Sequence, residues 1–368
     1  MMKKSDFLIP ALHRMIDEAL KKKEYRFPTE ADLCREFAVS RVTVRKALSV
    51  LEEEGLLRRR QGSGSFLTGK APDPSGNSLA LLLASPFRYR SPAIVDQARR
   101  AAAEAGFSLC VYDMHSSFQT EREILLELLK RPPRGLLLES FSDIPDPNAD
   151  LLARLTGEPL SVPAISLLGP IRVPETSGPA AFPALHIPSV AEDSLQGARL
   201  LAGTLAQLGH RRIAGLFSSC PRPDTCRFQS WLVAVREAGL SMDPDLFFLP
   251  GNLETGAIVN GTDSRLLAFL RKIAAGSTAL VCSDDLLAAA VLQKLPVLGL
   301  HVPEDLSLAS FEGSYLQHLS PVRTASLAGA SCLGESSVRL LLQKIRGENP
   351  ESLLLPLSLE KGNSLQAI

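Results

Sequence analysis

Arg41 and Arg45 lie four residues apart in the stretch Ser40-Arg41-Val42-Thr43-Val44-Arg45-Lys46-Ala47-Leu48. On a helix that spacing projects both guanidinium groups from one face. A guanidinium fork donates paired hydrogen bonds to a phosphate or to the edge of guanine, so the pair suits a polyanion; an ordinary solvated basic face has the same composition. A second set of residues is mainly acidic. Asp284 and Asp285 follow the apolar run Ala279–Cys282, and Glu312 follows Leu306–Phe311. Both places are carboxyl ends of strand candidates, where ligands bind in open α/β sheets. Arg227 opens the helix candidate that follows the run at Ile213. Carboxylates accept hydrogen bonds from hydroxyls and a guanidinium donates to ring or hydroxyl oxygens, so these groups match a hydroxyl-rich small molecule. Helix capping by the two aspartates, or an ion pair lining an empty cleft, accounts for the same residues.

The elements that must position the basic pair are short. Leu8–Lys22 carries Leu8, Leu12, Met15, Ile16, Ala19 and Leu20 at helical spacing. Thr29 caps a helix with Asp32 three residues on, and Leu33 and Phe37 form its inner face. After a turn at Ala38-Val39, Ser40 caps a helix with Val44, Ala47, Leu48 and Leu51 on its core side and Gly55 at its end. Leu56–Arg60 and Ser65–Leu67 predict a hairpin joined by Gln61-Gly62-Ser63-Gly64, with arginines at its base. Residues 69–78, with two prolines and two glycines, read as a linker. Beyond it, strand-sized apolar runs alternate with amphipathic stretches: Leu79–Ser85, Ala93–Ala105, Ser108–Met114, Thr120–Lys130, Gly135–Glu139. A second such series runs from near Leu185 to Phe311, and the Pro- and Gly-rich segment 141–184 is read as the link between them. Alternation of this kind implies parallel sheets covered by helices on both faces.

The expected fold class is therefore α/β: a small α+β winged helix-turn-helix unit at 1–68, a linker at 69–78, and a two-lobed domain with doubly wound parallel sheets at 79–368. Lobe 1 is placed at about 79–187 and 327–350, lobe 2 at about 188–326 and 351–368, with crossings near 186–190, 324–328 and 348–352. The formal net charge is zero, but residues 1–70 hold 15 Lys/Arg against 10 Asp/Glu and the remainder 25 against 30, so the basic end is the small one. Pro10 interrupts the first apolar stretch, and no apolar run reaches the roughly 20 residues of a membrane helix. A cytoplasmic location without membrane contact is expected, and an exported transport binding protein is disfavoured. Six scattered cysteines then read as reduced thiols; Cys220 and Cys226 lack metal-ligand spacing. Gly62-x-Gly64 lacks the helix and lysine of a phosphate loop, and neither a G-x-S-x-G elbow nor an H-E-x-x-H pair occurs. No enzyme chemistry, metal or cofactor is called for.

Leu8–Leu67 resembles the amino-terminal domain of the GntR family. The resemblance rests on Pro28-Thr29-Glu30, Val39-Ser40-Arg41-x-Thr43-Val44-Arg45-x-Ala47-Leu48, Glu54-Gly55-Leu56 and Gln61-Gly62-x-Gly64. It implies operator recognition by Arg41, Thr43 and Arg45, with Gly62 and Gly64 letting the wing approach the minor groove. Thr29, Ser40, Lys46, Arg58 and Arg60 complete the candidate DNA-binding set. Ala31 stands where some members carry a DNA-contacting arginine. Residues 78–360 resemble the sensing domain of the LacI family, through Gly209-His210-Arg211-Arg212-Ile213, Arg227-x-x-x-Trp231, Ser283-Asp284-Asp285-x-x-Ala288 and Val302-Pro303-Glu304-Asp305. That resemblance implies a homodimer and an effector cleft with Arg227 and Asp285 at contacting positions and Glu312 in place of the usual Asp. Phe87, Arg88 and Arg90, after the first strand, are expected to face the cleft from the other lobe. Two arginines there admit a sugar acid or sugar phosphate beside a neutral sugar, unless they point to solvent. The expected molecule is a transcriptional regulator, with operator DNA and a small polar effector as partners.

Overall fold

This computed structural model describes residues 8, 12, 15, 16, 27–37, 39–53, 57–60, 64–67, 77–86, 91–140, 144–173, 185–219, 224–329 and 332–368. Contacts divide the chain into two units, Met1–Ser78 and Leu79–Ile368.

In the first unit, helix α1 (Glu30–Glu36) starts at the box its sequence announces: the Thr29 hydroxyl accepts from Asp32 N, and Asp32 accepts from Thr29 N. Helix α2 (Arg41–Glu53) begins after Ser40, whose hydroxyl accepts from Thr43 N at 3.2 Å. Val44, Ala47, Leu48 and Leu51 are buried against Leu8, Leu12, Ile16, Phe27, Leu33 and Leu57, so the apolar periodicity reads the core correctly. Strands β1 (Leu57–Arg60) and β2 (Gly64–Leu67) pair antiparallel with Leu57 opposite Leu67 and Arg60 opposite Gly64. Phe27 N donates to Ser65 O and ties the hairpin to the helices.

The second unit holds two six-stranded sheets. The first has the order β13-β7-β6-β5-β3-β4, formed by β3 (Ser78–Leu83), β4 (Ser108–Asp113), β5 (Gly135–Glu139), β6 (Ala164–Leu167), β7 (Ser189–Glu192) and β13 (Leu353–Leu355). The second has the order β14-β12-β11-β10-β8-β9, formed by β8 (Ile213–Leu216), β9 (Phe247–Phe248), β10 (Ala279–Cys282), β11 (Ser307–Glu312), β12 (Ala325–Gly329) and β14 (Leu357–Glu360). The β12–β14 pair is antiparallel, and β8, β9, β10, β11 and β12 pair parallel. Strands β3, β5, β8 and β10 read as nearly continuous apolar runs because both faces are covered. On β3, Leu79, Leu81 and Leu83 enter one cluster and Ala80 and Leu82 the other; on β10, Leu280 and Cys282 part from Ala279 and Val281 in the same way.

Segment 141–184 is more than the link expected of it. Helix Ala149–Thr156 and strand β6 lie within it, the strand central in its sheet. Its prolines and glycines sit between these short elements and hid their periodicity. The chain leaves the first sheet after Glu192, leaves the second after Gly329, and passes between Leu355 and Leu357.

Candidate ligand site and nucleic-acid interface

In the second sheet the chain runs from β8 outward to β9 and returns past it to β10, so the switch in strand order lies between β8 and β10. Open α/β sheets bind ligands at such a crevice. Helix Asp224–Glu237 follows β8 and places Arg227 in its first turn. This is the positive end of the helix dipole and an unfavourable place for a cation. Carboxylates compensate. Arg227 is 1% exposed; its Nη1 donates to the Ser283 carbonyl at 2.8 Å and to Glu312 Oε1 at 3.1 Å, and its Nη2 donates to Glu192 Oε2 at 3.3 Å. The guanidinium also lies 5.8 Å from the centroid of the Phe311 ring. Burial pushes the Glu312 carboxyl up to about 8, and the adjacent guanidinium opposes that shift.

Asp284 caps the helix Asp285–Lys294: its carboxylate accepts from Leu287 N and from the Ser283 hydroxyl, both at 2.8 Å. Asp285, in the first turn of that helix, accepts from the hydroxyls of Ser310 and Ser326 and from Ser314 N. The aspartate pair thus divides its work, one capping and the other holding the ends of β11 and β12 in register. Gly313 carries the turn after β11 with φ +58°, and its N–H donates to Ser326 Oγ. A Cβ there would stand 2.3 Å from Ala328 Cβ. Gly313→Ala is accordingly expected to cost about 1–3 kcal/mol through overpacking, read as a lowered denaturant midpoint at unchanged slope.

The first sheet contributes a shallow open pocket at the carboxyl ends of β5 and β6, lined by Phe118, Leu138, Glu139, Ser140, Ile144, Asp146, Ile171 and Arg172. Glu139 Oε2 accepts from Ala84 N at 2.7 Å and so fixes the end of β3 beside β5. In the first unit, α2 exposes Arg41, Arg45 and Lys46 on the side away from its core residues. Arg45 Nε donates to Glu30 at 2.9 Å, a contact that orients the guanidinium from the first turn of α1. The Thr43 and Ser40 hydroxyls are 2.9 Å apart.

Residues 4–67 match the family model for bacterial regulatory proteins of the gntR family, and residues 202–365 match a periplasmic binding protein-like domain. The chain is 27% identical to an arabinose metabolism transcriptional repressor of Geobacillus stearothermophilus, over 90% of this chain and 88% of that one. A repressor of the same description from Halalkalibacterium halodurans is 24% identical over 95% and 91% of the two chains. The chain is a transcriptional regulator joining a GntR-type DNA-binding domain to a periplasmic-binding-protein-like sensor. Among solved structures, the transcriptional regulator CelR-cellobiose complex superposes on the regulator with TM-score 0.64 at 23% identity, over 89% of this chain and 91% of that one. A periplasmic binding protein/LacI transcriptional regulator from Alkaliphilus metalliredigens complexed with D-xylulofuranose gives TM-score 0.61 at 14% identity, over 78% and 98%.

Of the regulator's sequence-expected sensor residues, Arg227 and Glu312 meet directly, and Asp285 joins them through Ser310 at the adjoining end of β11. Phe87, Arg88 and Arg90 lie outside the described residues, as does Gly62. Arg58 and Arg60 fall on β1 and Gly64 opens β2. Thr29 spends its hydroxyl on Asp32. Sequence reasoning missed Glu192, the last residue of β7, which reaches from the end of the first sheet to Arg227 of the second lobe. Its signal was faint: one acidic residue at the end of a strand too short to stand out.

Proposed function

We propose that this regulator is a cytoplasmic homodimeric repressor whose operator affinity is set by a hydroxyl-rich effector held between the lobes at Arg227, Asp285 and Glu312. The observation that carries this reading is the buried Arg227–Glu312–Glu192 cluster, which spans the two lobes at the switch point of the second sheet. A ligand that exchanges hydroxyls for these bonds changes how the lobes are held together, and through them the spacing of two winged domains on paired half-sites. In the first unit, Arg41, Thr43, Arg45 and Lys46 read the major groove, with Thr29 and Ser40 at the helix starts and Arg58, Arg60, Gly62 and Gly64 on the wing. The relatives' part in arabinose metabolism puts pentoses first among effector candidates, ahead of hexoses, sugar acids and sugar phosphates.

The test is thermal unfolding of the full chain against that panel. An effector at one hundred times its dissociation constant adds about 2.7 kcal/mol to the stability of the domain that binds it. Asp285→Ala is expected to abolish the shift while leaving operator affinity in place. Arg45→Ala is expected to do the converse, weakening operator binding by about 1–3 kcal/mol. Equal losses in both assays from either change would overturn this division of labour.

A further inference from the structure

Val42 stands apart from the core face of α2. Val44, Ala47, Leu48 and Leu51 are buried, whereas Val42 is 65% exposed in the first turn. It shares its surface with exposed Arg41, Arg45 and Lys46; the last two stand three and four residues on, the helical spacing of neighbours. A β-branched residue on an exposed helical face gives up helix propensity and gains little burial in the free protein. Its neighbours in the turn are committed differently. Thr43 keeps its hydroxyl beside the Ser40 cap, and Arg45 is held by Glu30. The outward surface of the first turn therefore presents Arg41 and Val42, one a donor fork and the other two methyl groups.

We propose that Val42 is a specificity-determining residue that packs on the 5-methyl group of a thymine in the operator's major groove, next to the base or phosphate that Arg41 holds. The proposal rests on the reading of α2 as the groove-entering helix. An isopropyl group offers nothing to the donors and acceptors of base edges, and the apolar feature of the major groove is the thymine methyl. Each half-site should then contain a thymine at a fixed offset from the Arg41 contact. Removing one methyl from such a contact weakens binding roughly fourfold per half-site.

The experiment uses full-length protein and a duplex selected by it from a random-sequence library. Each thymine of one half-site is replaced in turn by deoxyuridine, which lacks only the methyl. Wild type is expected to lose about fourfold in affinity at one position, while Val42→Ala binds the parent duplex more weakly and shows no further loss at that position. Val42 is exposed, so the variant should melt with wild type; Val42→Thr, which retains one methyl, should recover part of the thymine preference. Insensitivity at every thymine, or an unchanged uracil penalty in Val42→Ala, would overturn the proposal. Arg41→Ala separates the premise: full affinity of that variant for the selected duplex would remove α2 from the groove, and the proposal with it.

Discussion

Replacing Arg227 by Met is expected to destabilise the sensor by about 3–5 kcal/mol, the usual cost of stripping one partner from a buried ion pair. Methionine approximates the length of the side chain and its packing on Phe311 but leaves the buried carboxyl groups of Glu192 and Glu312 without the guanidinium that donates to both. The pair is more exposed to this loss than a surface bridge such as Arg199–Glu237, where both side chains are about half exposed and solvent carries most of the interaction. Two second-site changes separate the terms. Glu312→Gln in the Arg227→Met background removes one orphaned carboxyl group and is expected to restore part of the stability, and Glu192→Gln another part. Urea unfolding of wild type, the three single variants and the two double variants measures this as a coupling. Additive losses would mean that the guanidinium acts by packing alone. Because Glu192 ends a strand of the first sheet and Arg227 belongs to the second lobe, the same substitution should also loosen the lobes and abolish the effector-dependent stabilisation proposed above.

The sequence made the framework legible where burial dictates composition. β5 and β10 could be bounded from their apolar runs because both faces are covered, and α1 from Thr29 and Asp32 because a capping box is local chemistry. Arg227 and Glu312 could be chosen as partners because strand ends in a doubly wound sheet converge on one edge. The role of Asp285 was harder to see. Its partners Ser310, Ser314 and Ser326 come from two other segments, and serines are too common to signal a network. Glu192 and the β6–β7 half of the first sheet were obscured for a related reason. Short strands separated by Pro- and Gly-rich loops have too few residues to establish a period, and their assignment comes from pairing partners far along the chain.

A second large effect is expected from the first lobe, where Glu121, Asp146 and Asn148 are buried together. Asn148 Nδ2 donates to Glu121 Oε2 at 3.0 Å, and Asp146 accepts from Asn148 N at 2.7 Å. Asp146 adds its charge to the burial of Glu121, and two neighbouring buried carboxyl groups resist ionising together. Arg122 reaches the outer side of Asn148 at 3.4 Å and approaches Asp150 at 3.8 Å, too engaged there to neutralise the pair. Burial, with Asp146 adding to it, pushes the Glu121 carboxyl from its ordinary 4.5 up to about 8. The sign follows from linkage. Below about 4.5 the group is protonated folded and unfolded, and folding is unopposed. Between about 4.5 and about 8 the unfolded chain releases the proton that the folded chain keeps, so stability falls as pH rises; above about 8 both states are ionised and the loss is complete. Glu121→Gln keeps an acceptor for Asn148 Nδ2 and removes the Glu121 titration. It is expected to raise stability at pH 8 by a few kcal/mol and to leave stability at pH 4 nearly unchanged. Glu312 retains a slope of the same sign, moderated by Arg227, so the variant flattens the pH profile without levelling it. Urea unfolding at pH 4, 6 and 8 decides the matter. Parallel profiles for wild type and variant would mean that Glu121 is ionised in the folded protein and that the loop at Asp146–Asn148 is held by Arg122 instead. A flattened profile would place an acid-stabilised tie directly beneath the pocket that Asp146 lines, making the first lobe's half of the cleft most rigid at low pH.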